Sequence, residues 1–257
     1  ADSRVSPFHP PLPRPDGRVF EWGRLYGSGA GLAIAGAARD HDGPVIVLTS
    51  GMPATERLEH ELRFYLAESG PPVLILPDRE TLPYDAFSPH QDIVSERLDT
   101  LQRLPGLRKG ILLAPVATAM VRLAPRAYLD AFSLRLDVGE RIDTEHMRAR
   151  LARSGYRLAA QVMEHGEFCI RGNLIDLYPM GSALPFRLEL LDDEIESMRT
   201  FDPETQRSVE RVERIRLLPA GEFPLHEEAI EQFRREFRRR FAGDPQRSPI
   251  YRDVSQG

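Results

Sequence analysis

At 257 residues the chain is longer than one average domain and shorter than three, so two domains are expected. A hydrophobic content of 41% beside 28% charged residues is that of a chain able to bury a core, so disorder is not the default expectation. The net charge of -5 argues against a nucleic-acid groove over most of the surface, and the single cysteine, Cys169, excludes an internal disulfide or a multi-cysteine zinc site.

The first residues, Ala1 to Arg14, are polar and proline-rich, unlike a signal peptide, and no apolar run approaches the ~20 residues of a membrane span. A cytoplasmic, monomeric protein with no membrane partner is expected. With no initiating Met and no clear terminus at Ile250 to Gly257, a piece of a longer protein is expected as well.

The unbroken apolar run Pro44 to Thr49 predicts a strand buried on both faces of a parallel sheet. Helical spacing follows, with Leu58, Leu62, Tyr65 and Leu66 on one face, and then a second apolar run, Val73 to Leu76. A third amphipathic pattern (Ile93, Leu98, Leu101, Leu104), with Asp92 as N-cap, leads to the run Ile111 to Ala114. Apolar strands alternating with helices mean βαβ units and an open α/β layer.

From about Ser133 the period changes to two. Leu134, Leu136 and Val138 alternate, as do Phe186, Leu188 and Leu190 before the acidic turn Asp192-Asp193. A helix from Thr144 to Ser154, capped by Gly155, interrupts them, so a small α+β domain on an antiparallel meander is predicted. Beyond Leu217-Leu218-Pro219, Glu227 to Phe241 reads as a helix whose stripe (Ile230, Phe233, Phe237, Phe241) is expected to pack on the α/β half. The bounds are a proline-rich lead at 1–17, an α/β domain at 18–132, an inserted domain at 133–219 and a helical return at 220–257.

An α/β layer invites a search for a phosphate loop, and Gly27, Gly29 and Gly31 before an Ala-rich helix are the one candidate. The pattern then needs Gly-Lys-Ser/Thr, but Leu32 and Ala33 follow Gly31, so no lysine meets the phosphates and no hydroxyl holds magnesium. A plain loop into a packed helix is the better reading. Met163 to Cys169 gathers His165, Cys169 and two carboxylates, but strand alternation sends neighbours to opposite faces, and His165-Gly166 is a natural hairpin turn. No nucleophile-elbow or triad context stands out, so no catalytic residue and no metal site is assigned. Lys109 is the only lysine, and the many arginines supply forked donors. Arg171 before Gly172, and Arg187 between Phe186 and Leu188, suit a protein interface built on arginine and aromatic side chains. The arginines at 234, 235 and 238–240 read as a solvated helix face rather than a DNA contact.

The segment Glu80-Thr81-Leu82-Pro83-Tyr84-Asp85-Ala86-Phe87-Ser88-Pro89-His90, with Asp92, Ile93 and Arg97, resembles the N-terminal region of the bacterial transcription-repair coupling factors. So do Gln161 to Glu167, Arg171-Gly172 through Asp176-Leu177-Tyr178-Pro179-Met180-Gly181-Ser182, and Phe201 to Arg207. The resemblance implies a region similar to the repair protein UvrB: a RecA-like, P-loop-type domain without a functional Walker A loop, split around an inserted domain that binds UvrA. The family's UvrA-contacting arginines match Arg171 and Arg187, and an apolar contact falls at Leu191, where other members carry an aromatic. The implied chain is a non-catalytic adaptor with no cofactor of its own. ATP, magnesium, RNA polymerase and duplex DNA would engage a motor beyond Gly257. The rival is UvrB itself or another nucleotide-dependent P-loop enzyme.

Overall fold

The computed structural model describes residues 6–12, 17, 19, 21–81 and 87–256. Most of the proline-rich lead, and residues 82–86 of the segment Glu80 to His90, lie outside the described residues. By contact the chain forms two compact units, one of residues 1–89 with 100–122 and one of residues 90–99 with 123–257. The described residues form a mixed α/β protein with a three-stranded parallel sheet, a six-stranded, largely antiparallel sheet and a two-stranded antiparallel ribbon.

The first unit runs α1 (Gly29–Asp40), β1 (Pro44–Thr49), α2 (Met52–Leu66), β2 (Val73–Ile75), part of α3 (Gln91–Arg103), β3 (Gly110–Pro115) and α4 (Val116–Ala119). Its three strands lie in the order β1-β3-β2, all parallel. Ala35 and Ala38 of α1 and Leu62 and Leu66 of α2 close over Ile111 and Leu113, with Leu58 and Tyr65 packed around them, as the helical spacing predicts. Every residue of β3 is buried, which its apolar run demands. β1 departs from the expectation: Ile46 is 63% and Leu48 54% exposed. It is an edge strand of the sheet, and only its Val45 and Val47 side meets the helices. Asp92 does not cap α3 either. It lies one residue inside the helix, the first backbone bond returns to the His90 carbonyl, and its carboxylate is instead 2.7 Å from His165 Nδ1.

The second unit continues with α5 (Arg126–Phe132), β4 (Leu134–Asp137), α6 (Thr144–Arg153), β5 (Arg157–Leu158), β6 (Glu167–Arg171), β7 (Leu174–Leu177), β8 (Phe186–Leu191), β9 (Glu194–Phe201), β10 (Ser208–Val212), β11 (Arg214–Leu217), α7 (Glu227–Arg240) and α8 (Pro249–Gln256). The meander is β6 to β10 in sequence order, all antiparallel, and β5 adds a parallel edge to β6. β4 does not join it. It pairs with β11 in a separate two-stranded ribbon. Period-two alternation puts Phe168, Ile175, Leu177, Leu188, Leu190, Ile195 and Met198 on one face of the sheet, where Met147 and Leu151 of α6 cover them. α6 starts where Asp143 accepts the His146 N-H at 2.7 Å, a cap contributing about 1 kcal/mol, and ends at Gly155 with φ 87°.

The α7 stripe meets α8: Phe233 and Phe237 lie 6.1 and 5.1 Å from the Tyr251 ring. The basic side of α7 is paired, Arg239 and Arg240 with Glu236 and Arg235 with Glu231, which suits a solvated face. No helix among the described residues is long and apolar enough to cross a membrane.

Candidate partner-binding face

The second face of the meander carries the charge. Cross-strand register sets Cys169 on β6 opposite Asp176 on β7, Asp176 opposite Arg187 on β8, Arg187 opposite Arg199 on β9, and Arg199 opposite Arg211 on β10. Cβ atoms opposite each other in such a sheet are ~5 Å apart, so these five residues form one continuous row.

Asp176 organises its start. Its side chain is 1% exposed and accepts from Arg187 Nε at 2.7 Å, Arg187 Nη2 at 2.9 Å and Arg171 Nη2 at 2.7 Å. The Arg187 pair is bidentate, the strongest geometry a guanidinium and a carboxylate can adopt. Arg187 Nη1 also donates to the Gln206 carbonyl at 3.3 Å, and its Cζ lies 4.8 Å from the Phe201 ring centre. Hydrogen bonding to Asp176 holds the Arg187 guanidinium protonated above its already high ordinary range. Arg171 is half exposed, at 52%, whereas Arg187 is 17% exposed.

Arg171 reaches this face because β6 alternates and because Gly172, with φ 59°, supplies the first central residue of the two-residue turn into β7. Leu191 shares the face at the far end of β8 and is 63% exposed. Phe186 does not. Alternation turns it to the opposite side, where it packs against the core, and the aromatic partner of Arg187 is Phe201 instead. Reading along the strand missed Asp176, Arg199 and Phe201. A charged residue between Ile175 and Leu177 is the signal that marks Asp176.

The glycine loop has no phosphate-cradle setting among the described residues. No strand leads into it, Gly29 and Gly31 lie within α1, and Ser28 Oγ is 2.7 Å from the Tyr65 hydroxyl. A Cβ on Gly31 would stand 2.6 Å from Glu61 Oε2 and 2.9 Å from Glu61 Cβ, so this glycine admits α2 close against α1. His165-Gly166 forms a turn, with the Glu167 N-H returned to Glu164, but the strand it enters, β6, runs parallel to β5, so it closes no hairpin. His165 is engaged on both nitrogens, by Asp92 and by the Ser182 carbonyl at 2.8 Å.

Residues 134–223, which contain the charged face, match the family model of the UvrB interaction domain. Over 96% of its length the chain is 44% identical to the transcription-repair-coupling factor of Escherichia coli, and over 97% it is 44% identical to that of Haemophilus influenzae. The chain matches one region of the transcription-repair coupling factors. The protein of that name in Bacillus subtilis is 30% identical over 79% of the chain. The chain spans about a fifth of the length of these relatives, 21%, 22% and 17% respectively.

Proposed function

We propose that the meander domain is a docking module for the excision-repair protein UvrA. In this reading the chain is a non-catalytic adaptor within a transcription-repair coupling factor. The match of residues 134–223 to the UvrB interaction domain carries the reading. Arg171 and Arg187 present forked cationic donors beside the exposed Leu191, the combination of charge and apolar surface that protein interfaces concentrate. The first unit is a RecA-like layer that has given up its phosphate loop: Leu32 and Ala33 stand where lysine and hydroxyl are needed. ATP, magnesium, duplex DNA and RNA polymerase belong to other regions of a cytoplasmic, ATP-driven DNA translocase, which removes stalled polymerase while this region recruits UvrA.

The test is binding of the whole chain to purified UvrA. Arg171→Ala with Arg187→Ala should weaken it by a factor of ten or more, with the far-UV circular dichroism unchanged. Equal affinity in the folded double variant refutes the assignment of the face, and measurable ATP binding by the chain would favour a nucleotide-dependent enzyme.

A further inference from the structure

Resting on the UvrA-docking reading, we infer that Arg199, which the strand reading passes over, is the anion receptor of this face. Arg187 stands beside it, held in place by Asp176, and the occupant is an acidic side chain of the docking protein. Three guanidinium groups, those of Arg187, Arg199 and Arg211, stand in direct register on neighbouring strands. Like charges placed opposite one another destabilise a sheet, so the row carries a cost in the free protein.

Only its first member is compensated within the chain. Arg187 spends Nε, Nη1 and Nη2 on Asp176 and the Gln206 carbonyl. Arg199 makes no side-chain hydrogen bond or ion pair among the described residues, and its Nε is buried without an acceptor. Glu189, the acid of the neighbouring strand β8 on this face, accepts the Ser197 hydroxyl at 2.6 Å. A buried, unanswered guanidinium nitrogen is destabilising, and that cost is relieved when a carboxylate arrives to accept from it. The same row explains the division of labour. Asp176 offsets one of the two charges beside it and fixes both guanidinium groups, so the group of the row left with a buried nitrogen unanswered is that of Arg199. A carboxylate seated there would meet a planar fork of donors with no competing acceptor among the described residues.

Arg199→Ala and Arg199→Lys in the whole chain test this, with UvrA binding and urea unfolding measured on each. Arg199→Ala should weaken UvrA binding at least tenfold while leaving the urea midpoint unchanged or higher, because it removes a like-charge contact. Arg199→Lys should recover part of the affinity but not all, since one ammonium cannot supply the fork. A merely structural Arg199 would lower the urea midpoint on truncation, and that result overturns the proposal. So does UvrA affinity within twofold of wild type for Arg199→Ala when the Arg171/Arg187 double variant has lost binding; there the docking reading survives and the receptor assignment fails. Absence of UvrA binding by the unaltered chain sinks both. Duplex DNA runs as a parallel ligand: binding lost on Arg199→Ala for DNA but not for UvrA also overturns it.

Discussion

Asp176→Asn isolates the contact that shapes the charged face. Asparagine keeps the volume and one acceptor oxygen, but its amide nitrogen must face a guanidinium donor and the negative charge is gone. In the native chain the 1% exposed carboxylate receives three charge-assisted bonds, two from Arg187 and one from Arg171. Removing one member of a fully buried ion pair costs roughly 3–5 kcal/mol, because the other charge is left stranded. Here the stranding is incomplete. Arg171 is 52% exposed and can turn to water, while Arg187, at 17%, cannot do so fully. A loss of about 2–3 kcal/mol follows, a large fraction of an ordinary stability of ~5–15 kcal/mol. With a urea slope of ~1–3 kcal/mol/M, the midpoint followed by far-UV circular dichroism should fall by about 1 M or more. A shift below about 0.3 M would refute the argument that Asp176 anchors the two arginines.

Two further outcomes follow from the second unit. Tyr156 is fully buried; its hydroxyl donates to the Leu218 carbonyl at 2.7 Å and accepts from Met180 N-H at 3.3 Å, and burial holds its phenol proton far above the usual range. Tyr156→Phe removes the hydroxyl that both backbone groups bond, and urea unfolding should register a loss of about 1–3 kcal/mol. Asp202 accepts from the backbone N-H and hydroxyl of Thr205, both through Oδ1, and the backbone bond is the main cause that lowers its carboxyl below 3.8. A depressed folded value means that this turn contributes its stability above pH ~4 and loses it as the pH falls further. The urea midpoint of Asp202→Asn should therefore vary less than that of the parent between pH 5 and 2, and parallel curves would contradict it.

Local pattern fixes much of this protein. Apolar runs and 3.6-residue stripes place α1, α2 and β1 to β3, and period-two alternation places β4 and β8 and the covered face of the meander, because each signal needs only neighbours along the chain. Turn chemistry is equally local: Gly155 and Gly172 hold the positive φ angles that end a helix and join two strands. Arg171 and Arg187 are visible as arginines in apolar strands, and the missing lysine and hydroxyl after Gly31 can be read directly.

What the sequence by itself does not determine is which strand lies beside which, and that ordering decides the rest. β4 alternates like a meander strand, yet its partner is β11, nearly eighty residues on. Asp92 looks like a helix cap, but a histidine from a distant turn takes its carboxylate. Phe186 stands next to Arg187 in the chain and on the opposite side of the sheet, while Arg199 and Phe201, more than ten residues away, are its real neighbours. A strand's own period tells which residues share a face, but only the hydrogen-bonded register across strands decides which charges meet on it.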